Sequence, residues 1–307
     1  MRRHHLLLAL LVVVLWGLSF VVIDLGLRHF PPLLFAALRF TFVAVPGVFL
    51  VRRPKVAVGW LVAVGLCLGV GQFGLLFLAM SRGLPAGIAS LVLQSQALFT
   101  VLFAAAAMRE RPGRGRLLGV LVASLGLVVI ALGRGATTPL VPLLLAVAAG
   151  ASWAAGNIAT RLARPDHGLG LLVWASLIPP VPLLAMSLLV EGPRADIAAL
   201  AGITPAAIGA LGYVVVLATL VGFGGWTLLL RRYPASTVAP LSLLVPVVGI
   251  VAAWLILDEV PKPMELAGMV VVLGGLLLVS ARTRAVRERG VVPGPAAAEL
   301  APAEETA

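Results

Sequence analysis

Two stretches, ERPGRGRLLGVLVASLG at residues 110–126 and EVPKPMELAGMVVVLGG at residues 259–275, carry the same four residues at the same spacing. Glu110, Pro112, Gly119 and Gly126 reappear as Glu259, Pro261, Gly268 and Gly275, each displaced by 149 residues. A weaker echo links the segments around Trp16 and Trp153 at a displacement of 137, which implies a small insertion in the second half. The spacing therefore predicts two related halves, residues 1–134 and 135–281, followed by a tail at 282–307. In each copy a carboxylate and a proline stand at the mouth of a loop, where they can stop one helix and start the next. The glycines, seven residues apart, are placed for close helix contact in lipid.

Outward from these motifs the chain is apolar almost throughout. Of its 307 residues 61% are hydrophobic and only 11% charged, and the mean hydropathy is +1.11. A water-soluble domain carries about 25% charged residues, so this composition excludes one. Ten apolar runs fall at 6–23, 33–51, 58–81, 85–107, 117–132, 140–160, 168–190, 205–230, 235–257 and 264–280. They are longer than the roughly ten-residue alternating segments of a membrane β-barrel, so they read as helices. The expected fold is an all-α integral membrane protein with ten transmembrane helices arranged as two five-helix repeats. Five is odd, so the second repeat enters the membrane from the opposite side. Such inverted repeats are characteristic of secondary transporters, in which access to a midplane site alternates as one half rocks against the other.

The net charge of +11 fits this reading rather than a nucleic-acid partner. With the N-terminus taken as inside, seventeen Lys and Arg residues lie on that side and five outside, with Arg39 within the second span. That asymmetry satisfies the positive-inside rule with both termini cytoplasmic. The N-terminal apolar run lacks a small-residue cleavage site and reads as an uncleaved first span. Beyond Arg282 the tail turns basic and then Ala-, Pro- and Glu-rich, the composition of a disordered cytoplasmic end. Cys67, the single cysteine, permits no disulfide framework.

Polar residues at membrane depth mark where solute could be handled, because lipid cannot satisfy them. The fourth run holds Ser90, Gln94, Ser95, Gln96 and Thr100. Ser90 and Gln94 share one helical face and Gln96 and Thr100 another, while the two glutamines point about 200° apart. A primary amide both donates and accepts, matching a zwitterion without a fixed charge. The same groups can also serve as glue between helices. In the ninth run Ser242 and Pro246 form the partner region, where proline removes a backbone donor and frees the carbonyl one turn before it. Gln72 and Asn157 rank next, ahead of Trp153, Trp174, Tyr213 and Trp226, since a tryptophan in a membrane is more often packing or an interfacial anchor. Pro179, Pro180 and Pro182 break the seventh run and offer a flexing point. Arg39 is the costliest residue in the chain. It either attracts a substrate carboxylate or snorkels toward the outer face.

There is no phosphate-binding GxxxxGK[ST] loop, no metal-spaced histidine set and no mid-span acidic residue. Asp24, Asp258 and Glu259 cluster near the outer face, where a carboxylate normally needs no partner. No catalytic residue, metal or cofactor is expected, and a membrane-embedded enzyme is disfavoured because it would need paired acid–base groups.

The segments WGLSFVVI, PPLLFAALRF, LPAGIASLVLQSQALFT, SWAAGNI and VAPLSLLVPVVG resemble the EamA family of the drug/metabolite transporter superfamily, and the likeness runs from Leu6 to about Ser280. The resemblance implies a ten-helix exporter of small amino-acid metabolites, such as cysteine and O-acetylserine, in the bacterial inner membrane. Its partners would be a small amino-acid-like substrate and membrane lipids, with no nucleic acid, in a monomer or homodimer. Asp24 departs from the family, which usually has Lys at the end of the first span. A carrier for another metabolite, a sugar or a drug is the alternative, since fold does not fix substrate.

Overall fold

The computed structural model describes residues 2–109, 113–133, 140–233 and 238–289, and the regular structure within them is helical throughout. In chain order the helices are α1 (Arg3–Leu27), α2 (Pro32–Leu50), α3 (Val58–Ser81), α4 (Ala86–Met108), α5 (Arg114–Gly133) and α6 (Leu140–Ala163). They continue as α7 (Gly168–Val190), α8 (Pro193–Ala201), α9 (Pro205–Arg232), α10 (Leu244–Leu257) and α11 (Pro263–Arg289). Among the described residues seven helices are long and apolar enough to cross a membrane: α1 to α4, α6, α7 and α9. Three shorter apolar stretches, Leu117–Ile130, Leu241–Leu257 and Pro263–Leu278, lie in α5, α10 and α11. Phe49, Leu50 and Leu189 stand 84–85% exposed on the outside. With the long apolar helices, this apolar exterior makes the chain a multi-pass membrane protein.

Most helix limits fall within a few residues of the apolar runs. Three features differ. The last helix continues through Arg289, so the residues expected to begin a disordered tail at Arg282 are helical, and those from 290 onward lie outside the described residues. Helix α8, between α7 and α9, is too short and polar to register as a span. Finally, α3 and α9 each contain a π-helical segment, Gly65–Gly74 and Tyr213–Val221, whose starts are 148 residues apart.

The glycines of the repeated motif meet at one crossing. A Cβ on Gly126 would lie 2.6 Å from the Val272 backbone nitrogen and 2.8 Å from the Gly268 carbonyl oxygen. One on Gly275 would lie 2.7 Å from the Gly119 carbonyl oxygen and run into Ala123. Contacts advance along α5 as they retreat along α11, from Ala123 with Gly275 to Gly133 with Met264, so the two helices run antiparallel. Two of the contacts are mates under the 149-residue displacement: Gly126 with Val272 corresponds to Ala123 with Gly275, and Gly126 with Gly268 to Gly119 with Gly275. Only glycine permits backbones to approach this closely.

Helices α1 and α6 each pack against helices distant in the chain. α1 lies against α9 and α10, where Gly17 meets Val248 and Gly249; α6 lies against α3 and α4, where Gly156 meets Leu68 and Gly150 meets Ser95. At one end of the bundle Tyr233 Oη accepts from the Arg2 backbone N–H at 3.1 Å and lies 2.9 Å from His5 Nδ1, tying the start of α1 to the end of α9. The Lys55 backbone N–H donates to Asp166 at 3.2 Å and joins two loops. That bond, with His167 alongside, holds the Asp166 carboxyl below the usual carboxylate range, so the tie is lost only as acid reaches that lowered range.

Glu259 is not a free surface carboxylate. It accepts from the Ala86 and Gly87 backbone N–H groups at 2.9 and 3.1 Å and caps α4 from another helix's loop. Glu259 therefore caps a helix start, but that of the distant α4 rather than of the helix that follows the motif; Glu110 and Pro112 lie outside the described residues. Glu191 caps α2 in the same way through Leu33 and Leu34, at 2.8 and 3.3 Å. Asp24 also has a partner, Arg28 at 3.1 Å. Replacing Glu259 with alanine leaves two helix-end donors unpaired and is expected to lower stability by about 1–2 kcal/mol. Thermal unfolding of the detergent-solubilised variant measures this, and an unchanged midpoint would show that the cap contributes nothing.

Candidate functional site

Helix α4 and the segment leading into α10 are interrupted at positions 149 residues apart. In α4 the first segment ends at Val92 and the second begins at Ser95, with Gln94 between them at ψ of −10°. A 3₁₀ turn, Ala239–Leu243, leads into α10, and Leu243 has ψ of −14°, 149 residues beyond Gln94. The helix ends repeat the correspondence, with Arg109 and Asp258 both at positive φ, 53° and 56°. The two interruptions face each other. Gln94, 7% exposed, donates from Nε2 to the Ser242 carbonyl oxygen over a long 3.4 Å.

Pro246 does not break its helix as the sequence suggested. It occupies the first turn of α10, where the missing N–H would have no intrahelical partner in any case, and the break lies three residues earlier. The carbonyl one turn before it is that of Ser242, the group Gln94 reaches. Ser90 donates to the Gly87 carbonyl at 2.6 Å and packs on Gly249, so it joins α4 to α10.

Gln96 points elsewhere, as the helical spacing requires. Asn157 on α6 donates to Gln96 Oε1 at 3.0 Å and approaches Thr100 Oγ1 at 3.4 Å, while Thr100 donates to the Gln96 carbonyl at 2.7 Å. Gln96, Thr100 and Asn157 are thus one hydrogen-bonded unit between α4 and α6. Trp153, one turn before Asn157, is half-buried against the apolar core.

Arg39 does not snorkel. It is 3% exposed, and its Nε and Nη2 both donate to Thr219 Oγ1, at 3.2 and 2.9 Å. The guanidinium carbon sits 3.8 Å from the ring centroid of Phe73 and 5.8 Å from that of Phe40. Among the described residues no carboxylate lies within 4 Å of it. Thr219 belongs to the π-helical segment of α9 and Phe73 to that of α3, so Arg39 on α2 is held between the two. In α9 the wider helical turn lets Thr219 donate to the Val214 carbonyl, five residues back, at 2.7 Å. α1 is pinned to the same segment, with the Trp16 indole donating to the Ala218 carbonyl and the Tyr213 hydroxyl to that of Leu15, both at 2.9 Å.

Gln72, beside Phe73, is 4% exposed and makes no side-chain hydrogen bond to a described residue. Among the expected site residues, Arg39 and Gln72 therefore lie on or next to the π segments, Gln94 and Ser242 at the facing breaks, and Gln96, Thr100 and Asn157 in a third group. Thr219 and Phe73 escaped the sequence reading. A threonine and a phenylalanine in apolar runs give no local signal, and only the isolated Arg39 indicated that a polar partner had to exist.

An all-helical multi-pass bundle with buried, unneutralised polarity between matched helix pairs has the character of a membrane carrier rather than of a lipid-embedded scaffold. The EamA-like transporter family model matches residues 4–132 and again residues 140–281, and the chain belongs to that family. A Salmonella typhimurium protein named "Probable amino-acid metabolite efflux pump" is 46% identical over 285 residues, 91% of this chain and 95% of its own. An Escherichia coli protein of the same name is 43% identical over the same shares. A "Probable terminal-alkyne amino-acid exporter" of Streptantibioticus cattleyicolor is 29% identical over 92% of this chain and 96% of its own. A chain of known crystal structure, 20% identical, matches with a TM-score of 0.62 over 92% of this chain and 99% of its own, a likeness of fold alone.

Proposed function

We propose that this protein exports small amino-acid metabolites, with cysteine and O-acetylserine as substrates, across the bacterial inner membrane by alternating access. The observation that carries the mechanism is the antiparallel crossing of α5 and α11, where the contacts of Gly126 map onto those of Gly275 under the 149-residue displacement. Two copies of one helix that run antiparallel with mated contacts are what a pseudo-two-fold axis in the membrane plane produces. On this reading the chain crosses ten times, as two inverted five-helix repeats with both termini cytoplasmic and a site near mid-depth. The matching breaks in α4 and α10 and the paired π segments support the same symmetry. The names of the 46% and 43% identical relatives support the substrate class.

Within the site Arg39 and Gln72 hold unspent hydrogen-bonding capacity and rank first as substrate contacts. Gln94 with the Ser242 carbonyl comes next, at the facing breaks. Gln96, Thr100 and Asn157 satisfy one another and would join solute only after that unit opens. Ser90, Pro246 and Trp153 serve chiefly to pack the helices around the path. Purified protein in liposomes is expected to show counterflow of labelled cysteine and O-acetylserine and none of a sugar. Absence of counterflow with either amino-acid metabolite would overturn the substrate assignment, and wild-type rates in the Gln94→Ala, Gln96→Ala double variant would remove these two amides from the site.

A further inference from the structure

Arg39 is a guanidinium that is always charged, 3% exposed, and without a carboxylate within 4 Å among the described residues. Thr219 occupies one edge of its fork, because both Nε and Nη2 donate to the same hydroxyl oxygen. Nη1 has no hydrogen-bond partner among the described residues. The Thr219 proton is committed to the Val214 carbonyl at 2.7 Å, so its oxygen can only accept, and it points toward Arg39. The Phe73 ring, 3.8 Å from the guanidinium carbon, covers one face of the planar group and limits its tilt. What remains is the Nη1–Nη2 edge, the pair of parallel donors that fits the two oxygens of a carboxylate.

We propose that Arg39 is a carboxylate anchor whose fork is aimed by Thr219 and Phe73, so that the site accepts molecules with a free carboxylate and rejects the matching amines and esters. Thr219 and Phe73 are positioning residues and need not touch the solute. The proposal rests on the exporter reading for the size and kind of solute, and its test does not depend on transport. In the closed arrangement described here the anchor is sealed, so loading requires α2 to part from one of its two π-helical neighbours.

The test is binding to the full chain in detergent, followed by tryptophan fluorescence, since the Trp16 indole bonds to Ala218, the residue before Thr219. The probes are cysteine, its methyl ester, and cysteamine, which lacks the carboxylate, alongside a panel of other α-amino acids. Wild type is expected to bind cysteine about tenfold or more tighter than either carboxylate-free probe. Thr219→Val should weaken cysteine binding by about tenfold and leave the weak cysteamine binding as it was, while Thr219→Ser restores it. Phe73→Leu should act in the same direction and Phe73→Tyr should not, which keeps a second arm should Thr219→Val fold poorly. Equal binding of cysteine and cysteamine, or cysteine affinity unchanged in both Thr219→Val and Phe73→Leu, overturns the anchor, as does a failure of every carboxylate to bind. If other amino acids bind through Arg39 and cysteine does not, the anchor stands and the choice of cysteine falls.

Discussion

Gly275→Val is expected to abolish accumulation of folded protein, whereas Gly274→Val, one residue earlier on the same helix, is expected to be tolerated. A Cβ on Gly275 runs into the backbone of Ala123 and lies 2.7 Å from the Gly119 carbonyl oxygen, while one on Gly274 has nothing within 4 Å. Overpacking an ordinary core costs about 1–3 kcal/mol because side chains can yield. Here the obstacle is backbone on both sides of an antiparallel crossing, so the loss should reach or exceed about 3 kcal/mol. Gly126→Val, the mate in the other helix, should behave like Gly275→Val, since its Cβ would lie 2.6 Å from the Val272 nitrogen. Size-exclusion profiles and unfolding midpoints of the three variants provide the measurement. Equal stability of Gly274→Val and Gly275→Val would mean that the crossing is looser than described.

Arg39→Leu is expected to separate stability from transport. Burying an arginine in a membrane helix costs about 2.5–3.5 kcal/mol on insertion scales. Against this stand hydrogen bonds from a charged donor, worth about 1.5–3 kcal/mol, and a desolvated cation–π contact of about 2 kcal/mol. At mid-range these terms differ by only about 1 kcal/mol, so leucine in its place should lower stability by about that amount. Losing a buried charge partner for a carboxylate costs about 2–5 kcal/mol of binding, or roughly thirtyfold and upward in rate at low solute concentration. Export should therefore collapse while membrane abundance holds and the unfolding midpoint falls only slightly. A variant that unfolds would assign Arg39 to the architecture, and one that still transports would exclude it from the path.

The sequence made the helical course legible because each apolar run ends in charge, proline or glycine, and hydropathy needs no tertiary context. The glycines were equally readable: their spacing marked them for close helix contact, and Gly119 and Gly126 meet Gly275 and Gly268 at the crossing. The break of α7 between Ala175 and Pro180 was announced by Pro179, Pro180 and Pro182. The π segments were not announced, because they contain no proline and their hydropathy continues unbroken. They depend on contacts from elsewhere, such as Gly65 against the Ala175 carbonyl and Gly69 against Pro179. A run of glycines at 65, 69, 71 and 74 was the available signal. The partners of Arg39 could not be read either, since Thr219 is 180 residues away and looks, in sequence, like any other threonine of an apolar run. Pro246 misled for a local reason: its position in the first helical turn makes its missing donor harmless. Glu259 looked idle at the surface because its two acceptor contacts are with α4, far back in the chain.

The crossing of α5 and α11 presents each helix to one with the same glycine spacing, much as a self-complementary patch joins the two subunits of a symmetric dimer. Here the two helices share one polypeptide, and only six residues separate Gly133 from Leu140, where the second family match begins. A short tether of this kind corresponds to an effective concentration on the order of millimolar. The contact therefore never has to form from dilute partners. On the alternating-access reading proposed above, it can slide or part during a working cycle without the two helices being lost to one another, a freedom that two separate chains would have to surrender in exchange for affinity.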